Sequence, residues 1–584
     1  MSRRSNAVAA VFAGLFAMVL AGCPSDPYDP NTWVEKLESG NGDEAKEAFQ
    51  RLVQLKNPAA IDPLGKFWEK HNYPSTVLRG IITLAGHEKP LAVDGSELPG
   101  PNWEPAVPFL RQAVDNLDIG NQSSIEDTAT AAQALGEAAE AGIKDGETIT
   151  ALVNVVKKKM PKLSPGQRAR IAAVQALGKF GDNPQVVSTL IQVLEADAKQ
   201  QPLKVAAAAA NSLGETGSAK ALQPMLIALY EKPAIYQQAR RALTGIGKPV
   251  VPELIKVFTG KHAALEKFAK ENNFAEVAPG NLEFKAATLL GDFRAPSSVP
   301  VLAEALSKPS KTSFFNPQTG EPGPPTHSAI LDALSKIGGP KAESALYNYM
   351  VSDSTDDAVR PLAIDKYSMV ATGTKGLEWL GKQFSDDGQE EQIRLAAGIA
   401  YGRLARTKKD LKPLDSMIKK FEDAADKEDK KAKKAKKDSA KQIQAQAQAD
   451  AYRRYAATFQ ENKWRAEVGV KCKSNIGCYT EYLEATDIAV GQPGLPRAER
   501  ALLSIAKMGS KGAEALDALL KHAERTDRVV REGVLLAMTR IAPQPCPKCV
   551  ARLEEVITKQ SAQTTLDALT AESRIVRNFF ESAP

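Results

Sequence analysis

A short frame recurs along this chain and limits what it can fold into. Ala173-Val-Gln-Ala-Leu-Gly178-Lys-Phe-Gly181 superimposes on Ala209-Ala-Asn-Ser-Leu-Gly214-Glu-Thr-Gly217 and on Ala239-Arg-Arg-Ala-Leu243-Thr-Gly-Ile-Gly247. The segments that start at Ala286, Ile330 and Ala501 follow the same order. Each sets small residues at helical spacing and closes on glycine, the residue that best tolerates the turn out of a helix. An amphipathic stretch follows each one, as in Val186 to Leu194, Leu222 to Tyr230, Val251 to Phe258, Val299 to Leu306 and Ala513 to Leu520. Proline or a polar residue usually opens that stretch, as at Asn183-Pro184 and Lys248-Pro249, where a missing N–H is harmless. The unit is an αα-hairpin that returns after 36 residues from Leu177 to Leu213 and after 30 from Leu213 to Leu243.

The frame resembles HEAT repeats, particularly the short kind of phycobilisome-lyase-like proteins. The resemblance runs from about Asp43 to Lys559, about eleven or twelve units, and is clearest from Ser164 to Gly338. Tetratricopeptide repeats share the length but want a Trp-Leu-Gly-Tyr pattern and a closing proline, which are missing. The resemblance belongs to the repeat and implies no lyase chemistry. It implies an all-α fold, an α-solenoid of HEAT-like helical hairpins in which each hairpin buries its apolar face on the next. A length of 584 residues, which alone suggests about four domains, then collapses into one curved array. Composition agrees: 43% hydrophobic and 25% charged residues are ordinary for a globular chain, and only 6% are aromatic. Alanine at Ala209 and Ala286 lets neighbouring helices approach, so a large residue there should overpack the junction.

The start of the chain gives an address. Arg3 and Arg4 precede an apolar or small run from Ala7 to Gly22, shorter than a comfortable membrane span and suited to a signal peptide. Ser5-Asn6 stand where a twin-arginine signal would carry hydrophobic residues, so ordinary export is expected. Leu20-Ala21-Gly22-Cys23 resembles the lipobox of bacterial lipoproteins, which implies diacylglycerol on Cys23, with two or three acyl chains for firm anchoring. An ordinary signal with a chance cysteine is the alternative. Pro24, where aspartate would signal inner-membrane retention, favours the outer membrane. The expected organisation is a signal peptide at 1–22, a lipidated Pro-rich tether at 23–42 with Pro24 to Asn31 extended, repeats at 43–410, a charged helical projection at 411–470, and further repeats at 471–584.

Departures from a repeat carry its individuality. His87 to Trp103 interrupts one hairpin. His262 to Asn281 and Lys308 to Pro325 both fall between hairpins in consecutive units, so they should lie side by side on one edge. The second holds Phe314 and Phe315 in a Gly/Pro-rich setting. These rings are either locally buried or a partner-binding tip, with Phe268 and Phe274 of the first insertion as companions. Lys430 to Lys437 and the Gln/Ala run after Gln442 predict two long helices with a lysine-rich turn. Six acidic residues between Glu422 and Asp438 dilute its charge, so the projection is either simply solvated or attracted to anionic envelope material. Lys+Arg 76 against Asp+Glu 70, with an exported location, implies no nucleic-acid partner.

Beyond Cys23 the cysteines are Cys472, Cys478, Cys546 and Cys549. Export favours disulfides, and the spacing favours two local ones. A four-thiolate zinc site, redox exchange at Cys546-Pro-Lys-Cys549 and cross-paired or free thiols stay open. No phosphate loop, nucleophile elbow, His-Glu-x-x-His or dinucleotide fingerprint occurs, and His71, His87, His262, His327 and His522 are scattered. No catalytic residue, metal, cofactor or small-molecule substrate is expected. The sequence therefore points to a lipid-anchored scaffold in the cell envelope, facing the periplasm or the surface, that holds envelope proteins on its concave face and inserted loops. A thiol-disulfide enzyme or accessory is the alternative, and a purely structural envelope protein a third possibility.

Overall fold

The computed structural model describes residues 27–581, apart from 198, 200, 488, 490, 526 and 562–567. The expected signal peptide and Cys23 lie outside the described residues. The chain divides into two compact units between Ala228 and Leu229. The described residues are helices joined by turns, with isolated β-bridges only, such as Leu91 with Glu97.

The first unit contains α1 (Pro30–Ser39), α2 (Gly42–Gln54), α3 (Ile61–Lys70), α4 (Ser75–Ala85), α5 (Val107–Asp115), α6 (Gln122–Glu140), α7 (Gly146–Lys157), α8 (Gln167–Gly178), α9 (Pro184–Glu195) and α10 (Leu203–Thr216), followed by α11 (Leu222–Glu231). The expected extended tether is shorter than predicted. Pro30 and Asn31 open α1, because proline is tolerated in a first helical turn and Asp29 caps it, accepting from the Asn31 N–H. Asn183 likewise caps α9, accepting from the N–H groups of Gln185 and Val186 ahead of Pro184. The inner row α4, α6, α8, α10 packs helix to helix, with the second helices of the hairpins behind it.

The glycines of the frame divide into two tasks, and only one is the expected helix stop. Gly217, at φ 64°, ends α10 in the left-handed conformation. The glycine directly after the frame leucine instead marks a close crossing. A Cβ on Gly178 would lie 2.9 Å from Ser212 Cα, and one on Gly291 would lie 2.7 Å from Ala333 Cα. The frame leucines themselves, Leu177, Leu213, Leu243, Leu290 and Leu334, are all fully buried, and Ala209 and Ala286 with them. Each such leucine contributes about 1.5–3 kcal/mol by burial.

The second unit contains α12 (Tyr236–Ile246), α13 (Val250–Phe258), α14 (Ala263–Glu271), α15 (Phe274–Val277), α16 (Asn281–Asp292), α17 (Val299–Ala305), α18 (Thr326–Ile337), α19 (Gly339–Val351), α20 (Arg360–Val370), α21 (Leu377–Ser385), α22 (Glu391–Leu404), α23 (Leu411–Lys434), α24 (Ala440–Cys472), α25 (Ile476–Glu481), α26 (Gly494–Lys507), α27 (Leu516–His522), α28 (Arg528–Ile541), α29 (Pro547–Ser561) and α30 (Ala568–Glu581). The charged projection is the hairpin α23–α24, whose two long helices pack on each other across a turn at Ala435 to Ser439.

Its first helices form a row, α12, α16, α18, α20, α22, α24, α26, α28, α30, each touching the next, and α30 then packs against α12. The row closes on itself. Inside this unit the expected open concave face is therefore filled by the unit's own inner helices. Lys507 of α26 donates to the Ser368 carbonyl of α20 at 2.7 Å, and Arg540 of α28 donates to the Ser335 carbonyl of α18. Gly338, at φ 69°, makes room for that guanidinium, since a Cβ there would meet it.

Candidate functional site

The two insertions meet, as their positions in the repeat imply. The Gly280 N–H donates to the Thr312 carbonyl at 2.8 Å, and the Phe315 N–H to the Val277 carbonyl at 3.0 Å. Asn281 Nδ2 adds a bond to the Ser313 carbonyl, and Lys311 pairs with Glu283. The later insertion is pinned at its base, where Thr326 N–H donates to the Lys311 carbonyl and Thr312 bridges to Pro325. A Gly/Pro-rich loop is thus held by backbone bonds to its neighbour rather than by a core of its own.

The aromatic residues divide between the two expected settings. Phe268 and Phe274 pack edge to face with centroids 5.5 Å apart, both half-buried. Phe314 and Phe315 stand 45% and 41% exposed, with Val277 at 51% beside them. Phe314 lies over Gly323, where a Cβ would strike the ring. Three apolar side chains thus stand exposed at one edge above a hydrogen-bonded base.

Below this edge is a cavity of about 760 Å³, walled by Phe258, Phe274, Leu282, Val301 and Ile330. Lys261, Lys270 and Glu266 line it as well. His327 also lines it, with Nδ1 2.7 Å from the Tyr349 hydroxyl, and burial pushes its imidazole pKa below the ordinary value. The ring is packed rather than poised as a ligand. Among the described residues no group of three His, Cys, Asp or Glu side chains is arranged to hold a metal.

The cysteines pair locally, Cys472 with Cys478 and Cys546 with Cys549, at Cα separations of 5.4 and 5.3 Å. Cys472, Cys546 and Cys549 sit in one apolar cluster with Leu502, Val534 and Phe580. Cys546 precedes α29, where a thiolate would be favoured, yet Cys546 and Cys549 are 2% and 0% exposed. An incoming thiolate has no path to either sulfur in this arrangement, which weighs against disulfide exchange. The lysine-rich turn is solvated, and its neighbouring charges pair along the hairpin, Lys431 with Glu428 and Arg453 with Asp429.

Sequence reasoning missed a chain of ion pairs along the inner row. Arg240 contacts Asp292 at 2.6 Å, Asp292 meets Lys336 at 3.3 Å, and Lys336 meets Asp332 at 3.2 Å. Asp332 then meets Lys366 at 3.1 Å, and Asp365 meets Arg403 at 2.6 Å. Arg403 and Arg465 both hold Glu499, at 2.5 and 2.8 Å. Burial would raise the Glu499 carboxyl, but the two guanidinium groups outweigh it and hold the pKa at about 2. Asp332 is held at about 2 in the same way by Lys336 and Lys366. Part of the signal was present in the sequence: Asp292 and Lys336 stand two residues after the frame leucine, as do Lys179 and Glu215, which pair in the first unit.

With this geometry established, known proteins supply context. The profile of the family described as HEAT repeats matches residues 162–244. No curated protein matches the chain. Among solved structures, yeast importin-beta (Kap95p) aligns at 10% identity over 92% of this chain and 71% of its own, with a TM-score of 0.38. Kap121p bound to Ste12p aligns at 12% identity over 95% and 66%, also at 0.38. The CpcE–CpcF complex of phycocyanin lyase from Nostoc sp. aligns at 17% identity over 59% and 94%, at 0.20. The fold is all-α and built of HEAT-like hairpins, an architecture suited to protein–protein interaction.

Proposed function

We propose that this protein is a lipid-anchored scaffold of the bacterial cell envelope, tethered through Cys23 and capturing an envelope protein on the edge formed by its two insertions. The observation that carries the reading is the exposed trio Val277, Phe314 and Phe315, fixed by backbone bonds between the insertions rather than left on a free loop. Exposed aromatic side chains on a pre-organised base lose little entropy on binding, which is what a recognition edge needs. The lipobox-like Leu20-Ala21-Gly22-Cys23 supports the anchor, and Pro24 after it favours the outer membrane.

The test replaces His262–Asn281 and Lys308–Pro325 by short linkers in the full chain, with crosslinking capture from native membranes. Capture should be abolished while helicity is kept; retained capture would move the site elsewhere. Phe314→Ser with Phe315→Ser is the milder variant and should reduce capture at least tenfold. Cys23→Ser should abolish labelling by a fatty-acid probe and release the protein from the membrane, and persistent labelling would refute the anchor.

A further inference from the structure

The closure of the second unit is polar along the line where its first and last inner helices meet. Glu572 of α30 lies 3.8 Å from Arg240, 3.8 Å from Arg294 and 4.0 Å from Lys336. Asn578 Nδ2 donates to Thr244 Oγ1 at 3.0 Å and to the Arg241 carbonyl at 3.3 Å. Phe579 lies under the Arg294 guanidinium, 5.2 Å from its carbon. The apolar cluster at this end is drawn from Val468 to Phe580, and Met369 is the one earlier residue packed against it among those described. Closure across the ring is thus marked by charges, carbonyls and one aromatic face, with Ile575 between them on α30 only 1% exposed.

That seam is costly to keep dry. The Nε atoms of Arg241, Arg294 and Arg540 are buried there without a hydrogen-bond partner. Lys507 and Arg540 give their protons to carbonyls, not carboxylates. Opening would return these cations to water, and their hydration offsets the packing that opening gives up. It would also leave Arg240, Arg241, Arg294 and Lys336 on a face whose carboxylates are Asp292 and Asp332, a surface with excess positive charge.

We propose that the second unit is a clasp that opens along the α12–α30 seam, and that the inner face so exposed takes an acidic helical segment of a partner protein, for which α30 is the built-in stand-in. Glu572 and Phe579, which meet Arg240 and Arg294, lie on one face of α30 at i and i+7, and Asn578 stands about 100° round the helix from Phe579. The partner helix therefore carries a carboxylate and, two turns on, an aromatic ring. This surface is separate from the insertion edge, so either reading can fail alone.

The test uses the full chain and an alanine-based helical peptide bearing Glu and Phe seven residues apart, with a Gln-for-Glu peptide as control. Glu572→Gln should speed amide exchange in α12 and α30 and raise affinity for the Glu peptide at least tenfold over the unaltered chain. Thr244→Cys with Asn578→Cys, joined by a short bis-maleimide, should abolish that binding, whereas the unjoined double variant should bind. Equal binding by joined and unjoined forms, equal binding of the Gln peptide, or faster exchange in Glu572→Gln without binding would overturn the proposal. Unchanged exchange in Glu572→Gln would overturn the clasp itself.

Discussion

Lys179 with Glu215 in the first unit and Lys336 with Asp292 in the second are the same contact made twice. Each residue stands two positions after a frame leucine or isoleucine on consecutive hairpins, and the ion pairs measure 3.4 and 3.3 Å. Their surroundings differ. The Lys179 and Glu215 side chains are 32% and 45% exposed, whereas those of Lys336 and Asp292 are 20% and 0%. The first pair is half in water; the second is covered because its helix row closes on itself. One sequence signal thus has two energetic meanings, and closure decides between them.

Breaking each pair separates the two. Asp292→Ala leaves Arg240 and Lys336 buried without their main partner and should destabilise the second unit by about 3–5 kcal/mol in denaturant unfolding. Glu215→Ala should cost no more than about 1 kcal/mol, because solvent already screens that pair. Equal destabilisation would show that closure does not set the energetics.

The helix crossings sharpen the comparison from the apolar side. Gly178→Ala and Gly291→Ala both raise helix propensity, yet both put a methyl against the next helix, so each should destabilise by about 1–3 kcal/mol. Similar effects in the two units would show that they share crossing geometry and differ in charge burial alone. A stabilised Gly291→Ala would break that account.

Acid provides a graded test. Glu499 and Asp332 have folded-state pKa values of about 2, below their unfolded values near 4. The unfolded chain binds more protons in that window, so their stabilisation is full above about pH 4.5 and fades as pH falls toward 2. Hydrogen exchange at pH 5 and pH 2.5 should show the second unit losing protection more steeply than the first.

The smallest effect is expected at the contact edge. Phe314→Ser and Phe315→Ser should change stability by under about 0.5 kcal/mol, since both rings are already partly in water. A cost above about 2 kcal/mol would make these rings core residues and remove them from recognition.

Much of this molecule is legible without its structure. Alanine spacing and the frame leucines mark the inner helices, because burial at one face imposes a helical period that composition cannot hide. The neighbouring insertions follow from counting hairpins. The local cysteine pairs follow from their spacing. The closure of the second unit is not legible, because nothing in the frame of Ala239 to Gly247 says that α30, more than 300 residues later, will pack there. The charges at Arg240, Asp292 and Glu572 read as ordinary surface residues until that contact places them inside. Asp29 and Pro30 read as tether when proline is counted only as a helix breaker, whereas at a capped first turn it starts a helix.

The most direct test of the scaffold account is site-specific photocrosslinking in native membranes. A photoreactive residue replaces Phe315 in one chain and Leu163, 94% exposed in the first unit, in another. The account predicts one envelope protein reproducibly crosslinked at position 315 and absent at 163. Equal yields at both positions, or no crosslink at 315 above a soluble control, would contradict it.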